Sequence, residues 1–221
     1  MINKLEKKLK IKFYNKDLLL RALTHSSYKN ENPTEDDNER LEFLGDAVIE
    51  LLISNYLYDL GIKEEGELTK RRAQAVCEEA LAIYAKHLGL SQFLRVGKGL
   101  DAANYRTNPT INADAFEAVF AAVYLDQGYE KVKEVFNNLI VPHLDEVKNI
   151  KDYKSTLQEL VQTDRKNVVY ELTNETGPSH NKRFTIVVKL EDKVLGTGTA
   201  GTKKEAEQRA AKEALKKVKK E

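Results

Sequence analysis

Cysteine, proline and glycine are scarce in this sequence, and their scarcity excludes several classes of protein. The 221 residues include one cysteine, four prolines and eleven glycines. The single cysteine, Cys77, cannot form an internal disulfide, so a disulfide scaffold is excluded and the reducing cytoplasm is the expected compartment. Cys77 itself is predicted to be a small buried apolar residue. The low glycine and proline contents exclude collagen-like and low-complexity chains.

Long uninterrupted apolar runs are also missing. The most apolar stretch, residues 41–60, is broken by four acidic residues and Asn55, so it cannot supply a membrane span of about 20 apolar residues. The first residues, MINKLEKKLKIKF, mix charged and apolar side chains and lack the apolar core of a secretory signal. We therefore expect no membrane partner.

A strong overall charge is absent, but the charge is unevenly distributed. The whole chain has a net charge of +1, whereas residues 151–221 alone carry 16 basic and 11 acidic residues, a net charge of +5. The preceding 150 residues are therefore acidic overall. This asymmetry favours two modules with different partners, of which the basic one could bind a polyanion.

The spacing of apolar residues divides the chain at the same place. Up to residue 148 the spacing is helical, and it predicts helices over residues 39–58, 68–88, 111–126 and 129–146, with Gly128 as a stop signal. Alternating residues first appear later, over 184–190, with weaker strands near 169–171 and 194–199 and a hairpin turn at Glu191-Asp192. Helices flank them at 153–163, with Leu157, Leu160 and Val161 buried, and at 203–219.

These patterns predict an all-α N-terminal domain over residues 1–148, a linker at 149–151 and an α+β C-terminal domain over residues 152–221. The order of elements in the second domain is α-β-β-β-α. In its last helix, alanines recur every four residues from Ala206, which would let the helix lie close to a sheet.

Five carboxylates stand out in the helical domain. Glu39, Glu42 and Asp46 are spaced i, i+3 and i+7, and Asp114 and Glu117 are spaced i, i+3, so each set lies on one face of a helix among apolar neighbours. Two like charges about 4 Å apart repel by roughly 4 kcal/mol at an effective dielectric constant near 20. Protonation or a bound cation must relieve this repulsion, unless the acids simply form ion pairs on a helix surface, which the spacing leaves open.

The donor set distinguishes between metals. Carboxylate oxygens suit hard cations such as Mg²⁺ or Mn²⁺. A di-iron carboxylate site would require Glu-x-x-His steps on two helices, and the sequence contains none. The four histidines (His25, His87, His143 and His180) are scattered and show no metal-ligand spacing.

The segment NERLEFLGD at residues 38–46 resembles the signature of the ribonuclease III family of double-stranded-RNA endonucleases. Further similar segments follow in the family's order: ALTHSSY at 22–28, EGELTKRRA at 65–73 and ADAFEAVFAAVYLDQG at 113–128. Three later segments, KDYKSTLQE, GPSHNKRF and TKKEAEQRAA, resemble the RNA-contacting regions of a double-stranded-RNA-binding domain. The resemblance is to the short bacterial two-domain form. Small departures occur at Asn112, where an apolar residue is usual, and at Ser155, where threonine is common.

The resemblance implies an N-terminal endonuclease domain with a set of catalytic acids that also bind divalent metal: Glu42, Asp46, Asp114 and Glu117. It carries over Glu39 and Glu67 as acids at the mouth of the cleft that contact the substrate or its waters. Phe43 resembles the family residue that inserts into a pocket on the partner subunit, with ordinary core packing as the alternative. Asn112 could alter the orientation of Asp114.

The resemblance also implies the reaction and the partners. The expected activity is metal-dependent hydrolysis of double-stranded RNA to give 5′-phosphate ends and short 3′ overhangs, with ribosomal-RNA precursors and other structured transcripts as substrates. Mg²⁺, with Mn²⁺ as a substitute, would act as two ions per site, without an organic cofactor, in a homodimer. The alternative is a non-catalytic module that only binds double-stranded RNA, although family members of that kind usually lack some of the acids.

In the C-terminal domain the resemblance implies three groups of RNA-binding residues. Polar side chains of the first helix can reach 2′-hydroxyls in the shallow minor groove, a loop can enter the next minor groove, and lysines at the start of the last helix suit the phosphates between them. In chain order these residues are Ser155, Gln158, Glu159 and Gln162, then Gly177, Pro178, His180 and Lys182, and finally Thr202, Lys203 and Lys204.

Overall fold

The computed structural model describes residues 2–148, 153–162, 167–177, 182–191 and 193–218, apart from the side chains at positions 155, 204 and 205. The chain divides into two compact units, Met1–Ile150 and Lys151–Glu221. Among the described helices, none combines the length and the apolar character needed to cross a membrane.

The first unit is helical, which confirms the predicted all-α class. Its described residues form no strand, and extended backbone pairs only in an isolated parallel bridge between Thr24 and Arg95. Short 3-10 turns cover Leu90–Phe93, Tyr105–Thr107 and Val141–His143. The α-helices are α1 (Ile2–Leu9), α2 (Lys16–Ala22), α3 (Ser26–Glu31), α4 (Glu39–Asp59), α5 (Glu65–Val76), α6 (Glu78–Leu88), α7 (Lys98–Ala102), α8 (Pro109–Leu139) and α9 (Leu144–Val147).

The helix boundaries differ from the sequence prediction at two places. The single helix predicted over residues 68–88 is two helices, because Cys77 has an extended backbone (φ −69°, ψ 155°) between α5 and α6. Cys77 is only partly buried, so its predicted core position is wrong. In α8, Gly128 interrupts the helix as predicted (φ 78°, ψ −174°), but the following segment ends at Leu139, before Pro142, which cannot donate within a helix.

An aromatic core fixes the rotation of α8. Phe116, Phe120 and Tyr84 are fully buried, and the ring centre of Phe116 lies 5.9 Å from that of Tyr84 and 4.9 Å from that of Phe120. The Tyr84 hydroxyl donates a hydrogen bond to the carbonyl of Ala75 (3.3 Å), which satisfies its buried polar group. Since Phe116 and Phe120 occupy the inner face of α8, the neighbouring acids Asp114 and Glu117 point toward another side of the helix.

The second unit contains a three-stranded antiparallel sheet flanked by two helices, which confirms the predicted α-β-β-β-α order. Its elements are α10 (Tyr153–Gln162), β1 (Val168–Thr176), β2 (Arg183–Leu190), β3 (Lys193–Ala200) and α11 (Lys203–Val218), and the strand order is β1-β2-β3. Leu157 and Val161 of α10 are buried as predicted, but Leu160 is 43% exposed, because the buried stripe of this helix is narrower than the sequence indicates.

Small residues bring α11 against β3. A Cβ atom at Gly198 would collide with the carbonyl oxygen of Ala206, and one at Gly196 would collide with that of Ala210. Ala206, Ala210 and Ala214 are fully buried on the facing side of α11. The predicted close packing of an alanine stripe on the sheet is therefore confirmed, with two glycines of β3 making the approach possible.

Candidate active site

Buried polar groups fix the start of α4, the helix that carries three of the predicted acids. Asp37 and Asn38 precede the helix and are 7% and 3% exposed. The backbone N–H of Asn38 donates to the carbonyl of Thr24 (2.9 Å), and Arg21 Nε donates to the carbonyl of Asp37 (3.0 Å). Lys29 Nζ lies 2.8 Å from the Asp37 carboxylate, which lowers the pKa of Asp37 through that hydrogen bond. These contacts anchor the end of the helix that presents the acids.

The helices α4 and α8 meet backbone to backbone at Gly45. A Cβ atom added to Gly45 would lie 1.9 Å from the carbonyl oxygen of Glu117, far inside van der Waals contact. Only glycine therefore allows the two helices to come this close. The contact lies at the level of the acids, since Glu117 belongs to α8 and Glu42 lies one turn before Gly45.

Three carboxylates from the two helices converge beside this contact. Glu42 of α4 and Asp114 and Glu117 of α8 each offer one oxygen, and these oxygens all lie within 4.8 Å of one another. All three side chains are partly buried. The predicted convergence of acids from separate helices is thus present in the structure.

The carboxylates of this cluster are partly buried and close to one another, and both conditions disfavour their charged forms. The pKa of Asp114 is raised to about 7, chiefly by burial and further by the charges of Glu42 and Glu78. The pKa of Glu42 is also raised, by burial first and then by Glu39 and Asp46. A bound cation would reverse both effects, because opposite charge favours the ionised carboxylate.

The remaining predicted acids occupy different positions. Asp46 is exposed and lies outside the group of converging oxygens, although its charge contributes to the raised pKa of Glu42. Glu39, the first residue of α4, is exposed and acts on Glu42 in the same way. Glu67 in the first turn of α5 accepts a hydrogen bond from Arg71 Nε (2.7 Å), which lowers its pKa. The structure therefore brings together three of the four acids predicted to bind metal.

Phe43, next to Glu42, is 83% exposed. The core-packing alternative for this residue is therefore wrong. Leu51 and Tyr58 are also more than half exposed, and they follow Phe43 on one side of α4 at steps of eight and seven residues. We call Phe43, Leu51 and Tyr58 the apolar stripe; it begins next to Glu42 and runs along α4.

Asn112 is buried, and its side-chain amide is used at the start of α8. Its Nδ2 donates to the carbonyls of Arg106 (2.7 Å) and Asn108 (2.8 Å). Asn108 in turn caps the helix by accepting from the backbone N–H of Ile111 (3.3 Å). The unusual asparagine thus stabilises the first turn of the helix that carries Asp114.

Sequence reasoning missed two features of this unit. Glu78, the first residue of α6, acts on Asp114 and accepts a hydrogen bond from the hydroxyl of Thr110 (2.9 Å), yet no motif marks it. The second feature is a histidine pair without metal-ligand spacing in the sequence: ligand atoms of His87 and His143 lie within 4.8 Å of each other and of Glu146. Tertiary packing brings these residues together, so local spacing could not reveal them.

The predicted RNA-contacting residues of the second unit are partly described. Gln162 and Glu159 are exposed on α10, and Gln158 donates to Asn167 Oδ1 (2.9 Å). At the start of α11, Thr202 is partly buried and Lys203 Nζ lies 5.6 Å from the ring centre of Phe184. Pro178 and His180 lie outside the described residues, as do the side chains of Ser155 and Lys204.

Glu175, near the end of β1, interacts with lysines from two other segments of the second unit. Lys182 Nζ forms an ion pair with the Glu175 carboxylate, and this hydrogen bond is the main cause of its lowered pKa. The charge of Lys203 contributes to the same shift. Gly177, two residues on, has a φ of 93°, which favours glycine.

Comparisons with known proteins match both units. The model of the Ribonuclease-III-like family matches residues 15–144, and that of the Double-stranded RNA binding motif matches residues 153–218. A ribonuclease 3 of Onion yellows phytoplasma (strain OY-M) is 51% identical over 205 residues, covering 92% of this chain and 86% of its own. A ribonuclease 3 of Oceanobacillus iheyensis is 50% identical over 220 residues, covering 97% and 96%. The solved nuclease domain of ribonuclease III from Campylobacter jejuni has a TM-score of 0.59 and 39% identity, covering 63% of this chain and 96% of that one.

A helical unit with clustered carboxylates followed by a double-stranded-RNA-binding motif defines an endoribonuclease, a hydrolase of structured RNA. Family models match both units, and relatives about 50% identical match nearly the full length, so the comparisons also identify the family. It belongs to the ribonuclease III family.

Proposed function

We propose that this enzyme hydrolyses double-stranded RNA with the help of divalent metal held by Glu42, Asp114 and Glu117. The observation that supports this is the convergence of their three oxygens within 4.8 Å, with raised pKa values for Glu42 and Asp114. All the donors are carboxylate oxygens, which fit Mg²⁺, and Mn²⁺ as a substitute. In this proposal, residues 1–148 form the domain that hydrolyses the RNA, residues 152–221 form the domain that binds the duplex, and residues 149–151 link the two.

The residues of the cluster would divide the work of binding and orientation. When bound, the metal lowers the pKa of the attacking water and stabilises the departing 3′ oxygen. Glu42, Asp114 and Glu117 would hold it, while Asp46, exposed beside them, would contribute directly or through water and thereby allow two ions in the site. Two dications would balance the charge of four carboxylates. Glu39 and Glu67 would contact the substrate or its waters at the mouth of the cleft.

The products follow from the family assignment. We expect 5′-phosphate ends with short 3′ overhangs, and ribosomal-RNA precursors and other structured transcripts as substrates. No organic cofactor is required for hydrolysis by water. A reducing cytoplasm is the proposed compartment, because the single cysteine of the chain can make no internal disulfide.

The second unit would hold the duplex by its shape. The exposed Glu159 and Gln162, together with Ser155 and Gln158, would meet 2′-hydroxyls in the minor groove. The loop that includes Gly177, Pro178, His180 and Lys182 would enter the next minor groove. The start of α11, with Thr202, Lys203 and Lys204, would meet the intervening phosphates, where the positive end of the helix adds to the lysine charge.

A homodimer is part of the same proposal. The Campylobacter nuclease domain is described with a region involved in dimer formation. In this chain the stripe of Phe43, Leu51 and Tyr58 leaves large apolar side chains in water on the helix that carries Glu42. Burial of that stripe against a second copy would remove the exposed surface, and Phe43 would enter a pocket on the partner.

Cleavage of a long RNA duplex in Mg²⁺ tests the proposal. The wild type should cut, and Glu117→Gln should bind the duplex without cutting it. Glu130→Gln provides a matched control, since Glu130 lies on the same helix α8 and is exposed. Equal cutting by wild type and Glu117→Gln would refute the assigned site, and binding without cutting by both would favour a non-catalytic module. Ca²⁺ in place of Mg²⁺ should support binding without cutting, because the larger ion has looser coordination.

A further inference from the structure

A second group of potential metal ligands lies on elements that carry none of the acids proposed to bind metal in the nuclease site. His87 is in the last turn of α6, His143 ends the 3-10 turn Val141–His143, and Glu146 belongs to α9. Each side chain offers one ligand atom, and these atoms all lie within 4.8 Å of one another. Since His87 is far from the other two in sequence, the tertiary fold brings them together.

The two imidazoles share one carboxylate oxygen. His87 Nε2 lies 2.8 Å from Glu146 Oε2, and His143 Nδ1 lies 3.8 Å from the same oxygen. The two rings are stacked, with centres 3.7 Å apart and planes at 9°. The three side chains are 27–50% exposed, so an ion can reach them from solvent.

We propose that His87, His143 and Glu146 form a second metal site, which takes a transition-metal dication of the zinc class. Two imidazole nitrogens and one carboxylate oxygen are a common ligand set for Zn²⁺, with water in the fourth position. Imidazole nitrogen favours such ions over Mg²⁺, whereas the all-carboxylate cluster favours the hard ion. The donor atoms therefore separate the two sites by chemistry.

Binding requires a small rearrangement of the side chains. Tetrahedral zinc with bonds of about 2.1 Å places its donors about 3.4 Å apart, so atoms that now lie within 4.8 Å of one another must approach by up to about 1.4 Å. The rings must also tilt out of their parallel stack, because both nitrogen lone pairs lie in the ring planes and must point at one ion. Rotation of partly exposed side chains allows both changes at low cost.

The ion would cross-link the helical unit near its C-terminal end. It would join α6 to the short helix α9, which follows a 3-10 turn and has only four residues. Because the unfolded chain does not hold these ligands together, zinc should stabilise the folded unit. The competing interpretation is that His87 and Glu146 form only a hydrogen bond, without any affinity for metal.

Zinc titration of the full chain separates these interpretations. The protein is freed of metal with a chelator, returned to saturating Mg²⁺ and titrated with Zn²⁺ alone, and the stoichiometry and the thermal midpoint are measured. We expect one tightly bound Zn²⁺ per chain and a rise in the midpoint. His143→Phe keeps a ring to stack on His87 but has no ligand atom, so it should weaken zinc binding by about tenfold or more. Glu146→Gln should do the same.

Two controls distinguish zinc bound at His87, His143 and Glu146 from zinc bound at the nuclease site. Glu117→Gln removes a carboxylate from the nuclease site and should leave zinc binding unchanged, as should the exposed Glu130→Gln. Co²⁺ in the Glu117→Gln background adds a spectroscopic measure, since tetrahedral coordination gives a visible absorption band that His143→Phe should abolish. The inference is overturned if His143→Phe and Glu146→Gln titrate like the wild type, or if Glu117→Gln loses the bound zinc.

Discussion

Replacement of Gly45 by alanine is the sharpest test of how the two helices form the site. The added Cβ would lie 1.9 Å from the carbonyl oxygen of Glu117 and 2.3 Å from its carbonyl carbon. Ordinary contact begins near 3.4 Å, so α4 and α8 must separate locally by roughly 1.5 Å. The obstructing atoms belong to the backbone of a buried helix and cannot rotate away. The strain must therefore appear as a displacement of Glu42 relative to Glu117.

Two effects of different size follow from this displacement. Overpacking of this kind costs about 1–3 kcal/mol of the free energy of unfolding, and each kcal/mol lowers the melting temperature of a chain of this length by about 3 °C. A misplacement of about 1 Å in a catalytic site costs about 100-fold in rate. Activity should therefore fall much further than stability. Cleavage of a duplex in Mg²⁺, well below the melting temperature, measures the loss of activity, and thermal unfolding followed by circular dichroism measures the loss of stability.

Gly99→Ala is the matched control. Gly99 lies in the short helix α7, and an added Cβ meets nothing within 4 Å. Alanine should be neutral or stabilise there by about 0.5–1 kcal/mol, with unchanged cleavage. If Gly45→Ala cuts at the wild-type rate and melts no lower than the wild type, the argument that this glycine sets the separation of the acids is refuted.

Three further predictions concern charge and assembly. In a chelator, the free energy of unfolding should fall as the pH rises from about 4 to about 7, because Asp114 keeps its proton in the folded state and loses it when unfolded. Urea denaturation at several pH values measures this dependence, and Asp114→Asn should make it weaker over the same pH range. The same pH dependence in Asp114→Asn and wild type would contradict the raised pKa. Lys203→Ala with Lys204→Ala should weaken duplex binding and reduce the slope of log affinity against log salt by about one for each lost phosphate contact; a titration over several salt concentrations with an unchanged slope would exclude these contacts. Phe43→Ala should shift the protein toward monomer in sedimentation equilibrium without exposing the core, since the side chain is already 83% exposed, and an unaltered dimer would remove Phe43 from the interface.

For each acid, the sequence predicts the face of the helix on which it lies. The sequence does not predict which other helix packs against that face. The spacing of Asp114 and Glu117 places both on one face of α8, and the structure agrees. That α4 faces them depends on Gly45, whose role cannot be found from periodicity because the contact is with a backbone atom of a distant helix. The pairing of α4 with α8 is implied by the resemblance to the ribonuclease III family and not by the spacing of the acids.

Exposure was harder to predict than secondary structure. Phe43 and Leu160 lie in helices that contain many apolar residues, and both are exposed. An apolar residue at a helical spacing is compatible with the core of one chain and with an interface between two chains, because the side chain is removed from water in both cases. The pairing of His87 with His143 was missed for a related reason: it depends on how the end of α6 packs against α9, and no local pattern encodes that.

The cluster of acids and the aromatic core of α8 depend on each other. In the absence of a cation, the raised pKa values of Glu42 and Asp114 indicate that their charges oppose folding. Phe116 directly precedes Glu117 and is fully buried, and burial of such a side chain contributes about 1.5–3 kcal/mol. The helix can thus hold unfavourable charges on one face because another face is anchored in the core. The proposed metal binding would gain free energy from relief of that repulsion, because a cation favours the ionised form of both carboxylates.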